Sequence, residues 1–171
     1  GDVRELRSMQ IAADHLKKKW GAPPDIVIAN AGVVQTGEIA SMDPAAWADV
    51  IATNLTGAFH TARAFLPDLL TLKSDLVFIG SIASYQSFPT WGAYCASKAG
   101  LLAFARSVAA EVRQKGVRVT IVAPGAVDTV VGGAAGPIPQ DGDLGPAGSA
   151  TLLSPEGVAV GPDGLLWICD S

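Results

Sequence analysis

The chain has 171 residues, 49% of them hydrophobic and 16% charged, which suits one folded domain and excludes a wholly disordered chain. Its 12 Lys and Arg against 16 Asp and Glu argue against a nucleic-acid partner, which would want a basic face; no apolar run approaches the roughly 18 residues needed for a spanning helix, and no membrane partner is expected. Cys95 and Cys169 form no CxxC pair, disulfide framework or zinc pattern, so no metal site is expected and a reducing, cytoplasmic setting is.

Val3, Leu6, Met9, Ala13, Leu16 and Trp20 recur every three or four residues and predict an amphipathic helix. Lys17, Lys18 and Lys19 sit near its C-terminal end, where cations suit the helix dipole, and Gly21-Ala22-Pro23-Pro24 stops it. Asp25 to Asn30 is short, apolar and β-branched, which predicts a strand buried on both faces. Asp43-Pro44 supplies an N-cap and a proline at the first helical position. The helix it starts runs to about Leu72, with room for a break. Asp75 to Ser81 is a second buried strand. Trp91 to Lys115 reads as a helix with Gly116 as its stop, and Val117 to Ala123 as a third strand closed by Pro124-Gly125.

Strands alternating with long helices predict a doubly wound α/β fold, a parallel Rossmann-type sheet with helices on both faces. Ligands of such sheets sit beyond the carboxyl ends of the strands, where Asn30, Ser81 and Pro124 stand.

The character changes after this point. Residues 131–150 hold six Gly and three Pro with no aromatic or basic side chain, and read as a linker. Residues 119–171 hold six acids and no Lys or Arg. Residues 151–171 carry short apolar runs around Pro162-Asp163-Gly164, a hairpin signal.

One pair of side chains suggests chemistry. Tyr94 and Lys98, four residues apart, project from one helical face. A phenol normally titrates near 10, and an adjacent ammonium favours its ionised form, so the pair can act as an acid/base unit. A YxxxK spacing alone also arises by chance. Bland readings stand beside the other candidates too: Asn30 as a loop hydrogen-bonder, Ser81 as a turn hydroxyl, Asn54-Leu55-Thr56 as a sequon on a helix, Cys95 as a buried filler, His15 and His60 as surface or packing residues.

The order Asn30-Ala31-Gly32, Asn54, Ser81, Tyr94-Cys95-Ala96-Ser97-Lys98 and Pro124-Gly125 through Thr129 resembles the short-chain dehydrogenase/reductase family over about residues 1–130. Asp2-Val3 resembles its Asp-hydrophobic pair. The resemblance implies NAD or NADP as cofactor and a secondary alcohol or ketone as substrate. It implies Tyr94 as the acid/base and Lys98 as its electrostatic partner and ribose contact. Ser81 would hold the substrate oxygen, and Asn54 would anchor a water at a helix irregularity. Asp2 is implied near the adenine, Asn30, Ala31 and Gly32 along the adenine-ribose side, and Pro124, Gly125, Val127 and Thr129 at the nicotinamide end. A homo-oligomer, dimer or tetramer, is implied through the two long helices. The loop from Ser84 to Trp91, with Val33, Val34 and Gln35, reads either as an apolar substrate wall or as loop packing.

The sequence departs from the family in two places. The Gly-rich phosphate turn is not found, as if about two and a half βα units were missing, and the residue that selects NAD or NADP would go with them. An incomplete sheet, weak dinucleotide binding and an inactive fragment are therefore expected. Residues 154–171 resemble one repeat of an NHL or gluconolactonase-type β-propeller, although Leu153-Ser154-Pro155-Glu156 could instead start a short helix. A non-catalytic association module and a fusion with a propeller-type binding domain are the alternative readings.

Overall fold

The structure is a computed structural model that describes residues 1–125 and the backbone of strands 157–160 and 166–169. Helix α1 spans Leu6–Trp20 and ends on Gly21, whose φ of 74° is the left-handed conformation that glycine adopts without penalty. Strand β1 spans Ile26–Ala29. Helix α2, Pro44–Ile51, begins as its sequence predicts: the Asp43 carboxylate accepts the Ala45 N–H at 2.9 Å. The expected break in the following helix is a π-helical turn at Ala52–Thr56, after which α3 runs from Gly57 to Leu72.

Strand β2 is Asp75–Ile79, and a single 3-10 turn follows at Ile82–Ser84. Helix α4 is Gly92–Val112 and tightens into a 3-10 turn at Arg113–Lys115 before Gly116, φ 86°. Strand β3 is Arg118–Val122. Strands β4 (Gly157–Val160) and β5 (Leu166–Cys169) pair antiparallel, with Val158 opposite Ile168. The segment 131–150 lies outside the described residues.

β1, β2 and β3 form a parallel sheet in that spatial order, with β2 central. Register puts Val27, Leu76 and Val119 in one row and Ala29, Phe78 and Ile121 in another, both on the same face. Those rows meet Ala58, Ala62, Phe65 and Leu69 of α3 and Leu101, Ala105, Val108 and Val112 of α4 in one core. Helix α1 packs on α3, and Lys17 bridges the two helices to Asp68 at 3.1 Å.

The fold is thus a Rossmann-type α/β layer, and its parallel sheet is the expected one. The expectation of helices on both faces is met on one face among the described residues. On the other face Ile26 and Ile28 are 57% and 58% exposed. Their apolar character is what suggested two-sided cover.

The layer sets up the site. Past the carboxyl ends of β2 and β3 the pairing continues, Gly80 N–H donating to Val122 O at 2.7 Å and Ile82 N–H to Pro124 O at 3.0 Å. These bonds hold Ser81 and Pro124-Gly125 side by side at the sheet edge where ligands of this architecture bind.

Candidate active site

A cavity of about 250 Å3 opens at this edge. Asn30, Gly32, Val34, Ile79, Gly80, Ser81, Tyr94, Lys98, Pro124 and Gly125 line it. Three strand ends and the first two turns of α4 therefore meet in one place, and Asn30, Ser81, Tyr94 and Lys98 supply its polar side chains.

Lys98 is 4% exposed, and its Nζ donates to Ile79 O at 2.7 Å. Burial pushes this ammonium down to about 8. Nζ lies 5.6 Å from the centroid of the Tyr94 ring, the geometry that the four-residue helical spacing predicts. Trp91 stands edge-on to Tyr94 at 5.6 Å between centroids, and Phe88 leans on Trp91 at 6.0 Å. Ser81 caps the 3-10 turn, its Oγ accepting the Ala83 N–H at 3.1 Å, which leaves its own O–H to donate elsewhere.

Asn54 lies behind this wall rather than on it. It is 1% exposed, in the π-helical turn. Its Oδ1 accepts the Val33 N–H at 2.8 Å, and its Nδ2 donates to Val33 O at 2.9 Å and Ser97 Oγ at 3.0 Å. The carboxamide thus clamps the backbone after β1 and leaves little of itself for a water. Gly32 stands between the two polar groups: a Cβ there would meet Asn54 Oδ1 at 3.4 Å and Lys98 Nζ at 3.7 Å.

Of the residues singled out in the sequence, Asn30, Gly32, Ser81, Tyr94, Lys98, Pro124 and Gly125 meet at the cavity. Ala31 is exposed beside it. Asp2 does not line the cavity: its carboxylate is paired with Arg4, which also reaches Asp49 at 2.8 Å, and the guanidinium holds it down to about 2. Val127 and Thr129 lie outside the described residues. Val34 lines the cavity, whereas Phe88 packs on Trp91 and Trp91 on Tyr94. Sequence reasoning missed Ser97 and the Ile79 carbonyl. A serine three residues from Tyr94 on the buried side of a helix was the available signal for the first; a backbone acceptor has none.

The sheet with a cavity at its carboxyl edge is that of a Rossmann-type fold. The family model described as short chain dehydrogenase matches residues 1–137, and the chain belongs to that family. A 3-oxoacyl-(acyl-carrier-protein) reductase of Haemophilus influenzae is 32% identical over 129 residues, covering 75% of this chain and 53% of that protein. A short chain dehydrogenase of Monascus ruber, pigC, is 40% identical over 135 residues, 77% of this chain and 44% of that protein. A gluconate 5-dehydrogenase from Burkholderia cenocepacia, solved with NADP and tartrate, superposes with a TM-score of 0.70 at 26% identity, over 73% of this chain and 49% of that one. The chain thus spans about half the length of these relatives.

No described helix is long and apolar enough to cross a membrane, and the described residues hold no cluster of three metal-ligating side chains.

Proposed function

We propose that this chain carries the catalytic half of an NAD(P)-dependent oxidoreductase acting on a secondary alcohol or ketone. The observation that carries the reading is the convergence of Ser81, Tyr94 and Lys98 on one cavity at the carboxyl edge of a parallel sheet.

The residues present fit the nicotinamide end of a dinucleotide. Gly32 leaves room on the wall beside Lys98, and Asn30, Pro124 and Gly125 line the same cavity. Lys98, Asn30 and Gly125 would hold it there. When bound, the reduced nicotinamide supplies a hydride to the carbonyl carbon.

The chain's own groups then manage the oxygen. Negative charge develops on it in the transition state, and donors placed there lower the barrier. The Ser81 O–H holds the oxygen by a hydrogen bond. The Tyr94 O–H delivers a proton to it, forming the alcohol and leaving a phenolate. The buried Lys98 ammonium beside the ring stabilises that phenolate. In the oxidative direction Tyr94 takes the alcohol proton instead. Two of the relatives, a 3-oxoacyl-(acyl-carrier-protein) reductase and a gluconate 5-dehydrogenase, support a carbonyl or alcohol substrate.

The test is turnover followed by nicotinamide absorbance with NADH or NADPH and a panel of ketones. Tyr94→Phe should cut kcat by about 10²–10⁴-fold with dinucleotide affinity within twofold of the parent. A Tyr94→Phe protein that keeps most of its rate would remove the acid/base assignment.

A homo-oligomer is part of the same reading. The outward face of α3 and α4 carries the exposed Phe59, in edge contact with Phe104, and the small side chains Ala96, Ala99 and Ala103. Sedimentation of the parent against Phe59→Lys tests this, a loss of mass being the expected result.

A further inference from the structure

Ser97 is fully buried, at 0% exposure, and does not line the cavity. A helical serine that bonds a carbonyl of its own preceding turn is ordinary, and Ser97 Oγ does donate to Tyr94 O at 2.7 Å. What sets it apart is the second bond. The same oxygen accepts Asn54 Nδ2 at 3.0 Å, from a residue 43 positions away in the π-helical turn. Asn54 in turn holds both the N–H and the carbonyl of Val33. Four groups are therefore linked in series: the Val33 backbone after β1, the Asn54 carboxamide, the Ser97 hydroxyl and the Tyr94 carbonyl. The last of these belongs to the first turn of α4, one turn before Lys98.

We propose that Ser97 is a positioning residue whose hydroxyl bridges Asn54 to the Tyr94 carbonyl and so sets the first turn of α4 against the 30–33 loop. The inference rests on the acid/base reading of Tyr94. Without the hydroxyl, one Asn54 N–H is left buried and unpaired, a state that folded proteins avoid. The carboxamide then turns to seek another acceptor and lets go of Val33. Loop 30–33, with Gly32 facing Asn54 and Lys98, loosens against the Tyr94 side of the cavity.

The test compares the parent with Ser97→Ala and Ser97→Thr by amide hydrogen exchange and by steady-state kinetics. In Ser97→Ala the Val33 amide should exchange about tenfold faster, as loss of roughly one buried hydrogen bond implies, with Leu76 and Ile121 unchanged. The kcat for carbonyl reduction should fall by about tenfold with KM within twofold, and Ser97→Thr should recover both readouts. An unchanged Val33 amide, equal acceleration of all core amides, or a raised KM at constant kcat would each overturn the proposal. Tyr94→Phe is run in parallel. If it leaves turnover intact, the acid/base reading fails; in that case, or if the parent turns nothing over, the Val33 exchange alone decides whether the Ser97 bridge stands.

Discussion

The Lys98 ammonium donates to the carbonyl oxygen of Ile79 at 2.7 Å, joining the second turn of α4 to the last residue of β2. This contact explains how a lysine comes to be almost wholly buried beside an open cavity. An unpaired ammonium there would be costly, and the carbonyl at the strand end supplies one acceptor while leaving two N–H groups for other partners. The same contact aims the helix at the sheet edge, so that Tyr94, one turn earlier, faces the Ser81 side.

The burial of Lys98 predicts a pH signature in stability. The folded protein holds the Lys98 proton less tightly than the unfolded chain, with a value near 8 against 10.5. Below about pH 8 both states are protonated and the fold carries the cost of a buried ammonium. From 8 to 10.5 the unfolded state binds more protons, so stability contributed through this group rises with pH. Lys98→Met lacks the titration and, with it, the Ile79 contact. The unfolding free energy of the parent relative to Lys98→Met should therefore move in the parent's favour by up to about 3 kcal/mol across that window. Urea titrations of both proteins at pH 7 and pH 10 measure it, and a constant difference would show that Lys98 is not buried as described.

Gly32 separates folding from binding. A Cβ at this position would touch Asn54 Oδ1 and Lys98 Nζ at ordinary contact distances and disturb neither. Gly32→Ala should therefore leave the denaturation midpoint nearly unchanged. Gly32 lines the cavity, so the methyl group would narrow the wall beside Lys98, where the nicotinamide end is proposed to lie. Dinucleotide affinity should fall about tenfold, or 1.4 kcal/mol, by calorimetric titration. Equal affinity for both proteins would place the dinucleotide elsewhere.

Much of the frame was legible because its causes are local. Ile26-Val27-Ile28 and Leu76-Val77-Phe78-Ile79 are apolar on both alternating sets of positions, which announces interior strands. Asp43-Pro44, Gly21 and Gly116 mark helix ends by their own backbone preferences. Tyr94 and Lys98 share a face because the helix repeats every 3.6 residues. The clamp was not legible, because Asn54 meets Val33 and Ser97 only once distant segments pack. Nor could the sequence show that Asp2 turns to Arg4, since an ion pair between exposed neighbours depends on local backbone geometry. The apolar set Ile26 and Ile28 indicated a second covered face without naming its cover.

Thr90 carries a small backbone strain. Its φ of 66° is the left-handed region, which disfavours a β-branched side chain. The conformation presents the Thr90 carbonyl to the Gly37 N–H at 2.8 Å, tying the loop after β1 to the loop before α4. Asn tolerates this region better, so Thr90→Asn should stabilise the protein by about 0.5–1 kcal/mol with the Gly37 bond retained. Chemical denaturation measures the gain; a loss of stability would mean that the threonine side chain makes a compensating contact.

The N-terminal segment is held to α3 by a close approach that a single methyl group should break. A Cβ on Gly57 would lie 2.7 Å from Val3 Cγ2 and 3.0 Å from Val3 Cβ, inside van der Waals contact. His60, one turn further on, meets the Val3 carbonyl at 3.0 Å through Nδ1, so the segment is gripped on both its side chain and its backbone. Gly57→Ala improves intrinsic helix propensity by up to about 1 kcal/mol, yet overpacking at a well-filled site costs typically about 1–3 kcal/mol. The clash should win, because the obstructing atoms belong to a short β-branched side chain with few rotamers to escape into. A net loss of about 1–2 kcal/mol is expected from urea denaturation. Shortening the obstructing side chain should reverse the sign: in a Val3→Ala background, Gly57→Ala should be neutral or stabilising. Equal losses in both backgrounds would show that the helix start, and not Val3, resents the methyl group.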